Sequence, residues 1–238
     1  SRSVPPCGAD PRLAPTCDEQ AWQAIRTRPS GYASLGNPVE IVVSLGPYDF
    51  DRNPGDGSES NPYQIETPGQ LDSLYDQDDL WDRHFVLAAD IDMAGQTYSR
   101  ALVERFSGTF DGNSHTVRGY HIQTQSWRGD PFGLFGTVES GAIVHDLILE
   151  QANLEIGSYD KVIGILAGEN NGQVLHCAAH GRIFGGFDTI GGLVGENTQS
   201  IFACCATDLT VSGGSYVGGL AGTSHGTDAH IEACYARG

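Results

Sequence analysis

The sequence predicts an all-β fold, a parallel β-helix (β-solenoid) with a short helical N-terminal cap. Glycine supplies 32 of 238 residues, methionine occurs once, and the apolar residues come in short runs instead of helical stripes, which suits strands separated by turns. A glycine-bracketed motif recurs at a fixed step in the last third of the chain, the mark of stacked repeats. A helix-capping signal at Thr67 to Gln70 stands ahead of the repeating region.

The repeat is read first because it fixes the architecture. IGILAGEN (163–170), IGGLVGEN (190–197) and VGGLAGTS (217–224) align without gaps, a step of 27 residues both times, and FGLFG (132–136) is a looser fourth copy. Each copy is followed by a second strand-like run, at 143–147, 174–178, 201–205 and 230–234. Units of two or three short strands cannot bury an apolar face alone, but they can when stacked on their neighbours. A β-sandwich also contains strand-and-turn segments, but gap-free copies at one period favour the solenoid. Glycine at fixed places suits corners of positive φ or close packing of backbone on backbone, with the intervening aliphatic filling the interior. Asn170, Asn171 and Asn197 suit the adjoining turn.

Upstream the pattern changes. Residues 1–54 are expected to form an N-terminal extension and 55–238 the solenoid. In the extension, Cys7 and Cys17 close a proline-rich loop, residues 18–26 carry an acidic start and helix formers, and Ile41, Val42 and Val43 read as a strand. Thr67, Pro68 and Gln70 are an N-cap, a first helical residue and an N3 partner, a capping-box arrangement. The helix they start presents Leu71, Leu74 and Tyr75 as its apolar face and is expected to plug the open end of the solenoid.

The formal charge is −17, thirteen basic against thirty acidic residues, so the summed field repels phosphate backbones and anionic headgroups and argues against nucleic acid or membrane as partners. No apolar run is long enough to span a bilayer, and no hydrophobic leader follows Ser1, which reads as a mature or trimmed start. The six cysteines lack zinc spacing. A Cys7–Cys17 staple implies an oxidising, extracytoplasmic location, secreted or at the cell surface. Cys177, Cys204 and Cys234 occupy equivalent places in successive coils. With Cys205 they offer four thiols, and at least one disulfide between coils is expected among them.

At GGLVG (191–195) and GGLAG (218–222) the chain resembles the GLUG-motif repeat proteins, and the likeness extends upstream through NPYQI (61–65), FVL (85–87), DIDM (90–93) and FSGTFDGN (106–113). It covers residues 55 to 238. The resemblance implies a bacterial secreted or cell-surface β-solenoid of the kind found in adhesins and in the non-catalytic parts of immunoglobulin A peptidases. The zinc-binding H-E-x-x-H string of peptidase chemistry does not occur in the sequence.

Candidate chemistry is sparse. Asp49, Asp51, Asn53 and Asp56 place oxygen ligands at near-alternating positions as a calcium loop does, although Pro54 and Ser60 stand where an EF-hand wants glycine and glutamate. Asp90 and Asp92 flank Ile91 and project on one face of a strand, as paired glycosidase carboxylates do. Asp111, Gly112 and Asn113 read as a turn in which the Asx side chain bonds its own backbone, and His145 and His176 align on successive coils. Among the aromatics, Trp127 in a polar loop, Trp81 and Tyr120 are candidates for stacking on a sugar face, with Tyr98, Tyr159 and Tyr216 behind them. The expected function is a non-enzymatic structural or adhesive module whose partners are other copies of itself or glycans at a cell surface. The last coil ends at residues 233–238 without a cap, which implies either a fragment of a longer protein or an end covered by another copy; the latter, head-to-tail joining into filaments, is the preferred expectation. The rival reading is a polysaccharide-binding or polysaccharide-active β-helix. It requires a groove that gathers carboxylates, an arginine and aromatics. The aligned repeats carry no threonine or aspartate ladder of the kind an ice- or mineral-binding face needs.

Overall fold

A computed structural model of the chain describes residues 47–124, 130–157, 162–185 and 188–238. They form a parallel β-solenoid of about five turns. The compact unit that holds the coils starts at Leu45. The expected Cys7–Cys17 loop, the helix over 18–26 and the strand at 41–43 lie outside the described residues.

Each turn lays one short strand onto each of several sheets. A seven-stranded sheet stacks Tyr63–Ile65, His84–Leu87, Thr109–Asp111, Ile143–His145, Gln173–Leu175, Ser200–Phe202 and His230–Glu232. A five-stranded sheet stacks Val103–Phe106, Phe135–Val138, Ala167–Asn170, Val194–Asn197 and Ala221–Ser224. An eight-stranded sheet is led by the long strands Ile148–Ile156, Ala178–Gly185 and Cys205–Ser212, and a three-stranded one holds Val162–Gly164, Thr189–Gly191 and Tyr216–Gly218. All these pairings are parallel. The 27-residue step is exact in register: Ile163 faces Ile190, and Ile190 faces Val217.

Alternation decides which side chains enter the core. In the seven-stranded sheet the inward column runs Tyr63, Phe85, Phe110, Val144, Val174, Ile201 and Ile231. The early coils are filled by rings. Phe85, Phe106, Phe110 and Phe135 meet at centroid distances of 5.1 to 6.4 Å, each burial being worth about 1.5–3 kcal/mol. Phe50 packs on Tyr63 and Phe85, so the segment just ahead of the first coil is part of this core. Later coils narrow to aliphatics, alanine and glycine.

The capping box forms as expected. Thr67 Oγ1 accepts from Gln70 N, and Gln70 Oε1 accepts from Thr67 N at 3.0 Å and Glu66 N at 2.7 Å. The helix α1 (Pro68–Ser73) buries Leu71, and Leu74 is buried in the 3-10 turn that continues it. Tyr98 donates to Asp72 at 2.7 Å, and Arg100 lies 3.8 Å over the Tyr75 ring. The helix thus stands in the first coil where later coils have strands, and packs on the second coil's 98–100 segment.

The repeat glycines do not sit at positive φ. Gly164, Gly191 and Gly218 are needed for close approach: a Cβ on Gly191 would lie 1.8 Å from the Val194 carbonyl oxygen and 2.8 Å from Gly222 N. The left-handed corner belongs instead to Asp146, His176, Ala203 and Ala233, with φ between 52° and 56°. Gly191→Ala is therefore expected to cost about 1–3 kcal/mol or more by overpacking against backbone. Gly69→Ala, in α1 with nothing within 4 Å of the new Cβ, should gain about 0.5–1 kcal/mol. Urea unfolding of the two variants checks the contrast.

Candidate functional site

The stacked register turns single residues into columns, and the columns are where chemistry could reside. Asn170 and Asn197, fully buried, form one of them. Asn170 Nδ2 donates to Asn197 Oδ1 at 2.8 Å and to the Ser200 carbonyl at 3.1 Å, and Asn197 Nδ2 donates to the Gln199 carbonyl at 2.8 Å. Each amide completes its neighbour's hydrogen bonding, which is the condition for burying a polar side chain. This column is structural.

The cysteines form a second column in the expected register, but Cys177, Cys204, Cys205 and Cys234 are free thiols and not a bridged set. The reason is visible in the corner geometry. Cys204 Sγ accepts from Cys177 N at 3.3 Å, and Cys234 Sγ accepts from Cys204 N at 3.3 Å. The sulfurs thereby serve backbone groups that the left-handed corners leave without a ladder partner. Burial pushes the Cys177 thiol up, so it stays protonated and unreactive. Cys7 and Cys17 lie outside the described residues.

At the corner preceding this column, Asp111, His145 and Asp146 converge, with ligand atoms all within 4.8 Å of one another. His145 Nδ1 is 2.8 Å from Asp146 Oδ2 and 3.5 Å from Asp111 Oδ1, while His176 Nδ1 is 3.5 Å from Asp146 Oδ1. The register differs here from the expected histidine alignment. His145 faces Leu175 and Asp111, so His176 stacks on Asp146 and not on His145. Sequence reading singled out both histidines and read Asp111 as an Asx turn, which forms, Asn113 N donating to Asp111 Oδ1 at 2.7 Å; it did not bring Asp111 or Asp146 to the histidines.

The other candidates separate. Tyr120 is fully buried and donates to the Ile165 carbonyl, so it is core and not a sugar platform. Trp81 is half-buried, its Nε1 held by the Leu74 carbonyl at 2.8 Å. Trp127 and Tyr159 lie outside the described residues. In the proposed calcium loop, Asn53 is buried and its amide bonds Gln64 N at 2.8 Å, the Gln64 carbonyl at 2.7 Å and Gly55 N at 3.0 Å. Asp49 accepts from Asp51 N and pairs with Arg52 at 3.2 Å, and Asp56 accepts from Ser58 N at 3.0 Å. These carboxylates turn to their own loop and do not form a convergent group.

Asp90 and Asp92 are exposed on either side of buried Ile91. Bonds from Thr116 N and His115 hold Asp90 below the usual carboxylate range, and bonds from Ala94 N and Arg118 do the same for Asp92. A glycosidase acid must be raised, not lowered. A separate outward face lies on the eight-stranded sheet, where Gln123, Glu155 and Phe184 form one row and His121, Asn153 and Arg182 the next. Gln123 donates to Glu155 at 3.0 Å, Arg182 to Asn153 at 2.7 Å, and the Arg182 guanidinium stands 5.8 Å from the Phe184 ring. A groove beside it is lined by Gln123, Glu155, Ile156, Gly157 and Phe184.

Comparison with known proteins supports the fold and narrows little else. The crystal structure of a "putative immunoglobulin A1 protease" from Bacteroides ovatus superimposes with a TM-score of 0.57 at 22% identity, over 76% of this chain and 58% of that one. A "Putative Gly-rich membrane protein" of Evansella cellulosilytica is 30% identical over 129 residues, and Halomucin of Haloquadratum walsbyi is 31% identical over 142 residues. Those matches take in 50% and 55% of this chain but 14% and 2% of the two relatives. No family model matches the chain. No helix among the described residues is long and apolar enough to cross a membrane.

Two measurements follow from the columns. Treatment of the native protein with a maleimide should modify half-exposed Cys205 well before Cys177 and Cys204, which should label only on unfolding; peptide mapping reads the order. The second concerns Glu169, which stacks on Glu196 in the five-stranded sheet and is pushed up by burial and then by that neighbour. A carboxyl raised on folding costs stability when ionised, and the cost disappears as pH falls. Glu169→Gln should thus raise the Tm at pH 7, and the gain should shrink toward zero below about pH 4.

Proposed function

We propose that this chain is a GLUG-type, extracytoplasmic, non-enzymatic solenoid that presents or joins surfaces outside the cell, and that copies associate head to tail. The carrying observation is the gap-free repeat stacked in strict register, an architecture that builds extended surfaces from few residue types. The relatives named above support a surface role, since the matching segment occupies a small part of two much longer proteins, one called a membrane protein and the other a halomucin. Self-association draws on the parallel ladder itself, which a strand of a second copy continues by the same hydrogen bonds, with residues 1–45 of that copy as the proposed occupant. Light scattering across a concentration series should show assemblies that are lost in Ile231→Asp and on deletion of residues 1–45. A monomer at every concentration would rule the association out.

A second reading rests on the Gln123, Glu155, Asn153, Arg182 and Phe184 face. An exposed ring beside amide, carboxylate and guanidinium groups is the chemistry of polysaccharide binding. Affinity electrophoresis in gels of acidic and neutral polysaccharides tests it. Retardation that is lost in Phe184→Ala would establish binding there, and uniform mobility would dismiss it.

A further inference from the structure

We propose that Asp111, His145 and Asp146, with His176 beside them, form a binding site for a divalent transition-metal ion of the zinc type. Three separate features of the corner point to a ligand. The first is convergence from different parts of the chain: Asp111 and His145 face one another across two coils of the seven-stranded sheet, and Asp146 enters from the left-handed corner at φ 52°. The second is spacing. Tetrahedral bonds of about 2.0–2.1 Å place neighbouring donors about 3.3–3.4 Å apart, and His145 Nδ1 stands 3.5 Å from Asp111 Oδ1 and 2.8 Å from Asp146 Oδ2. Small side-chain rotations bring all three onto one ion.

The third is charge. Asp111 and Asp146 bring two carboxylates together, and among the described residues no arginine or lysine pairs with either; their ionisable partners are the imidazoles of His145 and His176, and Asp111 Oδ1 also accepts from Asn113 N at 2.7 Å. The corner thus gathers two carboxylates with only imidazoles among the basic side chains beside them, in a chain of net charge −17. A divalent cation neutralises it. Nitrogen donors select the kind of cation, since mixed imidazole and carboxylate sets suit zinc, copper or nickel, whereas calcium takes oxygen alone. His176, 3.5 Å from the other oxygen of Asp146, either orients that carboxylate or supplies a fourth donor. All four side chains are partly exposed, which gives the ion a path in and leaves room for water or a donor from a second molecule.

Isothermal calorimetry of the tag-free full chain with zinc chloride, and separately with calcium chloride, tests the site. One equivalent of zinc is expected, with no comparable heat from calcium. Asp111→Asn, which keeps the shape of the side chain, and His145→Ala should each abolish the binding, and His176→Ala should weaken it about 10–100-fold. His225→Ala removes an isolated histidine–glutamate pair, 2.9 Å from Glu196, and should change nothing. Circular dichroism confirms that each variant is folded, and the Asp111 variant decides the matter should His145→Ala unfold. Absence of zinc binding, binding unchanged in Asp111→Asn, or equal affinity for calcium would overturn the proposal.

Discussion

The parallel hydrogen-bond ladder between coils constrains everything else in this molecule. It fixes equivalent residues about 4.8 Å apart, so each side chain's environment is largely its counterpart one turn away. Apolar columns such as Ile163, Ile190 and Val217 gain from this without further condition. Polar columns are tolerated only where the two members complement one another. Asn170 and Asn197 do, one donating to the other. Glu169 and Glu196 do not, and the half-buried member bears the electrostatic cost. The thiol column lies between these cases, because each sulfur accepts a backbone N–H from the neighbouring coil and so gains from stacking without covalent linkage.

The ladder also dictates where glycine must stand. A coil this narrow folds its three-stranded and five-stranded sheets back on one another, and at Gly164, Gly191 and Gly218 the following strand passes too close for any Cβ. The motif is therefore a record of backbone proximity. The sharp corner after the seven-stranded sheet is a different problem, solved by Asp146, His176, Ala203 and Ala233 in a conformation that costs L-residues about 1–2 kcal/mol. Neighbouring hydrogen bonds hold them there, including those to the cysteine sulfurs that follow.

This distinction explains what could be read in the sequence and what could not. The repeat period, the strand order and the capping box at Thr67 rest on local chemistry or on gap-free spacing, and both are written in the chain. Free Cys177 and Cys204 were not legible, because a disulfide and a thiol ladder need the same register and differ only in which way the sulfur points. Tyr120 looked like a surface ring because its neighbours are polar, yet its hydroxyl reaches the Ile165 carbonyl 45 residues along the chain. The pairing of Asp111 with His145 was hidden by irregular coil length: Thr109 and Ile143 face each other 34 residues apart, whereas Gln173 and Ser200 are 27 apart. No fixed period connects Asp111 to His145.

That irregularity has a consequence for where function can lie on a solenoid. In the regular coils, identical spacing brings like residues together at several places, Glu169 on Glu196 and Asn170 on Asn197 among them. The mixed donor set of two acids and two imidazoles lies where coil length changes. The Asp111, His145, Asp146 and His176 corner spans the passage from the 34-residue step to the 30-residue step between Ile143 and Gln173. The outward face around Glu155 and Phe184 begins on the same coil, at the long strand Ile148–Ile156. Both features sit where the aromatic-filled early turns give way to the glycine-bracketed repeats, and there the stacking rule admits chemical diversity.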